Sequence, residues 1–352
     1  MTGARPLLVT ADSQTVEDVL RLAAAAAVDV HLATDPESAR ARWAVAPLVL
    51  VGADVASALT RARLPRRPDV VLVTGRPLST DWESAVALGA EHVASFPDGE
   101  RWLIDRLTDC GEGRSRGGAV VAVMGCGGGS GASTLAAALA MAASARGMHA
   151  LLVDADPLGG GLDLLLGIEG APGARWADLS ESRGRISAVT LEQNLPRVGN
   201  VGVLSWGRAG STMLPTEAVA TVLDAAQRAA DLVIVDLPRV LDETTDLVLA
   251  RARETVLTCS AHVRPVAAAS GLVDRISARC VSVRVVMRAD RRGLDVDAVA
   301  EALPDVTVTD VPYWEQLARR ADAGEGLTVA GGYGRAVGEL LGAVIGELAR
   351  AS

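Results

Sequence analysis

An α/β architecture of two parallel, doubly wound sheets is predicted by three features of this 352-residue sequence. Short apolar runs alternate with helical patterns through residues 6 to about 108. A polar, glycine-rich stretch without periodicity, Gly111-Glu112-Gly113-Arg114-Ser115-Arg116-Gly117-Gly118, follows. The alternation then resumes on an apolar run, a glycine loop and an alanine-rich helix. Strands separated by helices give parallel sheets covered on both faces. The expected organisation is one domain at 1–108, a linker at 109–118 and a second domain at 119–352.

Five buried strands are expected in the first domain: Pro6–Thr10, Val28–Leu32, Leu48–Val51, Val70–Thr74 and His92–Ser95. In the second, after Val120–Met124, the runs Ala150–Val153, Val201–Ser205, Leu232–Val235, Thr255–Thr258, Val283–Met287 and Val306–Val308 read as strands, with helical patterns such as 216–230 and 264–279 between them. Residues 168–200 show no clear pattern. The C-terminal stripe Val337, Leu340, Leu341, Val344, Ile345 and Leu348 has helical spacing and suits docking on the parent sheet. An interfacial membrane helix is the alternative; basic residues are few there, and Glu339 and Glu347 oppose anionic lipid.

Composition narrows the function. Aromatic residues make up 3%, so the cores rest on Ala, Val and Leu. The net charge is −9 and every basic group is arginine, which disfavours general affinity for nucleic acid. Cys110, Cys126, Cys259 and Cys280 have no paired spacing, against a zinc site or a disulfide framework. Cys126 has two readings, a redox-active thiol at a helix start or a small buried side chain. With no signal-peptide core and no apolar stretch of membrane length, a cytoplasmic protein is expected.

The chemistry concentrates at Gly125-Cys126-Gly127-Gly128-Gly129-Ser130-Gly131-Ala132-Ser133-Thr134. A glycine loop between strand and helix aims backbone N–H groups and a helix N-terminus at one point, which suits a di- or triphosphate. Gly127, Gly128, Gly129, Ser130, Gly131, Ala132, Ser133 and Thr134 are the expected nucleotide-binding residues, and a Ser133 hydroxyl can ligate magnesium. Ala132 stands where such a loop carries its lysine, and the chain contains no lysine. The plainer alternative is a turn that lets a helix pack closely on its strand. Two aspartate-bearing strand ends weigh against it: Asp154 and Asp156 after Ala150–Val153, and Asp236 after Leu232–Val235, the form of a Walker B carboxylate. Asp154 also reads as a turn residue and Asp163 as a helix start.

On these motifs residues 119 to 350 resemble the MinD/ParA group of deviant Walker ATPases, a P-loop NTPase fold. The group's Lys-Gly-Gly-x-Gly-Lys-Thr-Thr pattern falls on Gly127 to Thr134 with both lysine positions substituted. The resemblance implies ATP and magnesium as ligands, with Asp156 orienting water, Asp236 and Ser133 serving the metal and Asp154 a further candidate for it. It also places the segment from Val311 and Pro312 to Ala318 beside the adenine, with Arg288 where an asparagine is expected near the base. Loss of the lysine ammonium predicts slow or absent turnover. Arg208 and Arg239, from nearby loops, are the candidates to replace it, with a larger and differently shaped cation.

The first 105 residues or so resemble a response-regulator receiver, a flavodoxin-like fold. Gly52 stands at the phosphoacceptor position and Ser95 at the usual lysine before Phe96-Pro97, so the domain is expected to dock or dimerise rather than be phosphorylated. A degenerate receiver joined to a degenerate deviant-Walker domain is similar to the CpaE/TadZ group, and within it to the actinobacterial septum site-determining proteins called Ssd. That resemblance implies a homodimer regulating septum-site placement or Tad-type pilus or secretion assembly, recruited to a pole or septum at the inner membrane face. It implies partners in those machineries; no sequence-specific nucleic acid partner is expected, on the charge reading above. A working ATPase with a non-lysine cation and a nucleotide-free scaffold are the other readings.

Overall fold

The computed structural model describes residues 5–75, 79–111, 118–179, 186–207, 215–290, 292–313 and 315–350, with the side chains of 79–81, 316, 318, 321, 322 and 347–350 left out. The chain divides into two compact units, Met1–Arg116 and Gly117–Ser352.

The first unit runs β1 (Leu7–Val9), α1 (Ser13–Ala25), β2 (His31–Ala33), α2 (Pro36–Trp43), β3 (Val49–Gly52), α3 (Ala53–Arg61), β4 (Val70–Thr74), α4 (Ser79–Leu88), β5 (His92–Ser95) and α5 (Glu100–Gly111). Its five strands are all parallel in the order β2-β1-β3-β4-β5. β2 begins later than the apolar run at Val28 suggests. The Val28 amide instead closes the end of α1 on the Ala23 carbonyl at 2.9 Å, and Ala27 turns through a φ of 55°. Gly52 is required where it lies: a Cβ there would stand 2.5 Å from the Thr10 hydroxyl and against the Asp54 carboxylate, which itself accepts Thr10 Oγ1 at 2.8 Å.

The second unit opens with β6 (Ala119–Gly125), α6 (Ala132–Ala145), β7 (Ala150–Asp154), α7 (Leu162–Leu165), α8 (Trp176–Leu179) and α9 (Ala188–Asn194). It continues with β8 (Arg197–Val198), β9 (Val201–Leu204), α10 (Thr216–Ala229), β10 (Leu232–Leu237), α11 (Glu243–Arg251), β11 (Glu254–Ser260) and α12 (Val263–Ile276). It ends with β12 (Val283–Ala289), α13 (Val296–Ala302), β13 (Thr307–Pro312), α14 (Glu315–Asp322) and α15 (Gly331–Arg350). The sheet order is β13-β12-β11-β6-β10-β7-β9-β8, parallel except for the β8–β9 pair. The predicted α/β class, with a mostly parallel doubly wound sheet, is what the structure has. β13 runs on from the expected Val306–Val308 as far as Pro312, and the two-residue β8 has too little sequence to announce itself.

The sheet separates two cores. On one face α6 buries Leu135 to Ala140 and Ala143, small side chains that bring it close to the strands. α15 covers α6 with Val337, Leu340, Leu341 and Val344, and Arg146 at the end of α6 donates to the Gly338 carbonyl at 2.7 Å. Those four stripe residues are thus core packing, each contributing about 1.5–3 kcal/mol; Ile345 packs against them partly buried, and the Leu348 side chain lies outside the described ones. No helix among the described residues is long and apolar enough to cross a membrane.

Candidate functional site

β6 lies between β11 and β10, with Val120 to Met124 buried on both faces. At Gly125 the chain leaves the sheet, and a Cβ there would meet the Ser130 hydroxyl at 2.5 Å. The Cys126 amide extends the ladder by bonding the Thr258 carbonyl at 2.9 Å, and the Ser130 amide then closes a turn on Gly127 O at 3.3 Å. Gly129 and Gly131 have φ of +70° and +90°, conformations that a side chain would strain. The Ser130 hydroxyl is bonded to Thr258 Oγ1 at 2.9 Å, pinning the loop to β11. Two guanidiniums brace its backbone: Arg239 Nη1 donates to Cys126 O at 3.1 Å and Arg288 Nη1 to Gly129 O at 2.8 Å.

The loop is open. A Cβ on Gly127, Gly128, Gly129 or Gly131 would meet nothing within 4 Å. Among the described residues no acceptor is found for the amides of Gly127, Gly128, Gly129, Gly131, Ala132 and Ser133. They border a cavity of about 410 Å³ lined by Gly125, Gly127 to Thr134, Asp156, Asp236, Leu237, Pro238 and Arg239. Unpartnered amides at the start of a helix carry partial positive charge, which attracts an anion.

Asp236 and Asp154 face each other in register on neighbouring strands. Burial pushes Asp236 up to about 7 against the lowering effect of the Ser133 hydroxyl, and the charges of Asp154 and Asp156 add to the rise. Asp154 is also pushed up by burial, to about 6, and bonds from the Leu162 amide, Ser205 and the Asp156 amide resist that rise. Those bonds engage both its oxygens: Oδ1 takes the Asp156 amide at 3.2 Å and Oδ2 takes the Leu162 amide at 3.0 Å. Asp154 therefore folds the loop from residue 155 to 162, whereas Asp156 and Asp236 line the cavity. Asp163 lies in the first turn of α7, 3.5 Å from the Arg175 guanidinium.

A second pocket, of about 80 Å³, adjoins the first through Ser130, Gly131 and Thr134. Its far wall is Val286, Arg288, Val311, Pro312 and Tyr313, with the Arg288 guanidinium 5.1 Å from the Tyr313 ring centre. The fold thus gathers Gly127 to Thr134, Asp156 and Asp236 at one cavity and sets Pro312 at the adjoining one. Arg208 and Trp314 lie outside the described residues.

Sequence reasoning missed the Ser205 and Thr258 hydroxyls and the grip of Arg288 on the loop. Both hydroxyls sit at carboxyl ends of predicted strands, the signal by which they could have been found. The contact between the Cys126 and Cys259 thiols was equally hidden. That bond and burial push Cys126 up, away from a reactive thiolate, so the lowered pKa expected at a helix start does not arise.

Among the described residues no three His, Cys, Asp or Glu side chains form a metal cluster. A magnesium ion here would need phosphate oxygens beside Ser133 and Asp236. An open row of amides with a buried carboxylate and a hydroxyl at its edge fits a magnesium polyphosphate.

Residues 9–118 match the family described as Rv3660c-like, CheY-like N-terminal domain, and residues 119–310 the family described as cellulose biosynthesis protein BcsQ. Two curated Mycobacterium tuberculosis proteins, Rv3660c of strain ATCC 25618 / H37Rv and MT3760 of strain CDC 1551 / Oshkosh, are each 39% identical over 282 residues, 79% of this chain and 79% of theirs. Among solved structures, a ParA family ATPase from Chlorobium tepidum TLS superposes with a TM-score of 0.56 at 18% identity, covering 64% of this chain and 98% of its own. The MinD cell division protein of Aquifex aeolicus gives 0.53 at 20% identity over 65% of this chain and 97% of its own. The cell division ATPase MinD of Pyrococcus furiosus gives 0.53 at 17% identity over 67% and 100%. At these identities the likeness establishes the fold.

Proposed function

The chain belongs to the ParA/MinD-like family that the BcsQ match over residues 119–310 defines, and on that premise we propose a localisation- or partition-type regulator that binds magnesium ATP with slow or no hydrolysis. The observation that carries this reading is the open amide cradle of Gly127 to Ser133 with Asp236 at its edge and Ala132 in the lysine's place. The cradle supports binding. Ala132, at the first position of α6, offers no cation to the terminal phosphates, which argues against rapid turnover.

In this reading Ser133 and Asp236 hold the magnesium that arrives with the nucleotide, Asp156 faces the phosphates, and Pro312 borders the base. The CheY-like unit has no carboxylate at Gly52 and serves as a docking or dimerisation module. The pairing of that unit with a lysine-free P-loop domain supports the CpaE/TadZ-like, Ssd-like assignment: a homodimer that marks a septum or a pilus or secretion assembly from the cytoplasmic side. A working ATPase is the second reading, favoured by the Arg239 side chain in the cavity.

Calorimetric binding of ATP with magnesium together with phosphate release, both measured beside the Ala132→Lys variant, tests the choice. The regulator reading expects nucleotide binding with negligible release by the unaltered protein and a gain of release in the variant. Brisk release by the unaltered protein would establish the ATPase instead, and no binding by either would overturn both.

A further inference from the structure

The cradle has amides and carboxylates but no lysine, so its charge balance depends on what else reaches it. Two carboxylates, Asp156 and Asp236, line the cavity, and Arg239 is the one cationic residue among the described residues that does so. It is carried by the loop leaving β10, three residues beyond Asp236, where buried Leu237 and the fixed φ of Pro238 anchor the turn. Its Nη1 is tied to Cys126 O at 3.1 Å, and no carboxylate among the described residues pairs with it. A guanidinium has five N–H donors in a planar fork that matches phosphate oxygens. Tethered by one bond, the Arg239 fork keeps donors for an anion on the loop amides.

Arg288 is placed differently. One of its nitrogens holds Gly129 O, the other holds Ser260 Oγ at 3.2 Å, and its plane lies over Tyr313 in the adjoining pocket. It braces the loop from the side of the base.

We propose that Arg239 takes the place of the absent lysine in binding, supplying from the β10 loop a positive charge that holds the terminal phosphates, while its larger planar fork does not reproduce the ammonium geometry that rapid turnover needs. The inference rests on the nucleotide reading and assigns its missing cation to a named side chain. It accounts for the survival of the cradle: a magnesium ion and one guanidinium offset part of the negative charge that a polyphosphate brings beside Asp156 and Asp236, whereas the amides alone carry no full positive charge.

The test is binding of ATP, ADP and AMP with magnesium to the full chain, its Arg239→Gln variant and the Arg239→Gln/Ala132→Lys double variant, with thermal melts as the folding control. Loss of the guanidinium is expected to weaken ATP binding about 10-fold or more, ADP less and AMP least. Lysine at 132 is expected to bring ATP affinity back to within about 3-fold of the unaltered protein. A lysine there cannot remake the bond to Cys126 O, so rescue separates phosphate contact from loop bracing. Equal loss across the three nucleotides, unchanged ATP affinity in the single variant, or no rescue in a folded double variant would overturn the proposal. Failure of the unaltered protein to bind any of the three would overturn the nucleotide reading itself.

Discussion

The Ser205 hydroxyl donates to Asp154 Oδ2 at 2.8 Å, and that same oxygen takes the Leu162 amide at 3.0 Å. This buried junction separates two neighbouring aspartates by task. Asp154 is spent on folding the segment between β7 and α7, while Asp236, beside it in register, faces the cavity. Removing Asp154 takes a shared acceptor from the Leu162 amide and the Ser205 hydroxyl, leaving the amide its bond to Ser205 Oγ at 3.1 Å and the hydroxyl a long contact to Asp163 Oδ1 at 3.4 Å. Asp154→Ala is therefore expected to lower unfolding free energy by about 1–3 kcal/mol, measured by urea denaturation.

Asp236→Asn should act in the opposite sense on the nucleotide-free protein. Its carboxyl is raised to about 7 by burial, from an ordinary value of 3.8. Above pH 7 the group is charged in both folded and unfolded chains, and burying that charge opposes folding; below about pH 4 it is neutral in both. The variant is expected to melt higher than the unaltered protein at pH 8, in chelator, with the gain fading as pH falls from 7 towards 4. With nucleotide it should lose the magnesium dependence of binding. A variant that melts lower at pH 8 contradicts the assignment.

The buried Arg284–Glu254 ion pair ties β12 to β11 beside the strand that carries the loop. Both side chains are almost wholly inaccessible, so removing one leaves an uncompensated charge. Glu254→Gln or Arg284→Met alone should cost about 3–5 kcal/mol, and replacing both together should cost markedly less. A double-mutant cycle in urea reads the difference.

In the N-terminal unit, Gly52→Asp offers a direct check that the phosphoacceptor site cannot be restored by one substitution. The new Cβ would press on Thr10 and the new carboxylate would face Asp54. A loss of about 1–3 kcal/mol is expected, and no incorporation of phosphate from acetyl phosphate. Stable phosphorylation of the variant would show that the pocket is intact.

How much could be read from the chain alone follows from what was local in it. The alternation of Val, Leu and Ala runs with helical spacing announced the parallel sheets, and Asp236 announced itself by ending an apolar strand. Features made by contact across the sheet did not. Thr258 lies 128 residues from Ser130 in the chain and Arg288 lies 159 from Gly129, yet each fixes the loop. Asp154 kept two readings for a related reason: a strand-end aspartate looks the same in sequence whether its oxygens face a cavity or fold a turn, and only the Ser205 and Leu162 partners distinguish them.

The central claim, that backbone amides of this loop hold a polyphosphate without a lysine, is met most directly by calorimetric titration of the unaltered protein and Gly128→Val with ATP and magnesium. Gly128 has an ordinary φ and open space before its α-carbon, so the substitution fills the cradle without straining the fold. The account predicts saturable one-to-one binding by the unaltered protein and its loss in a variant with an unchanged melting temperature. Equal heats from the two proteins, or none from the unaltered one, would contradict it.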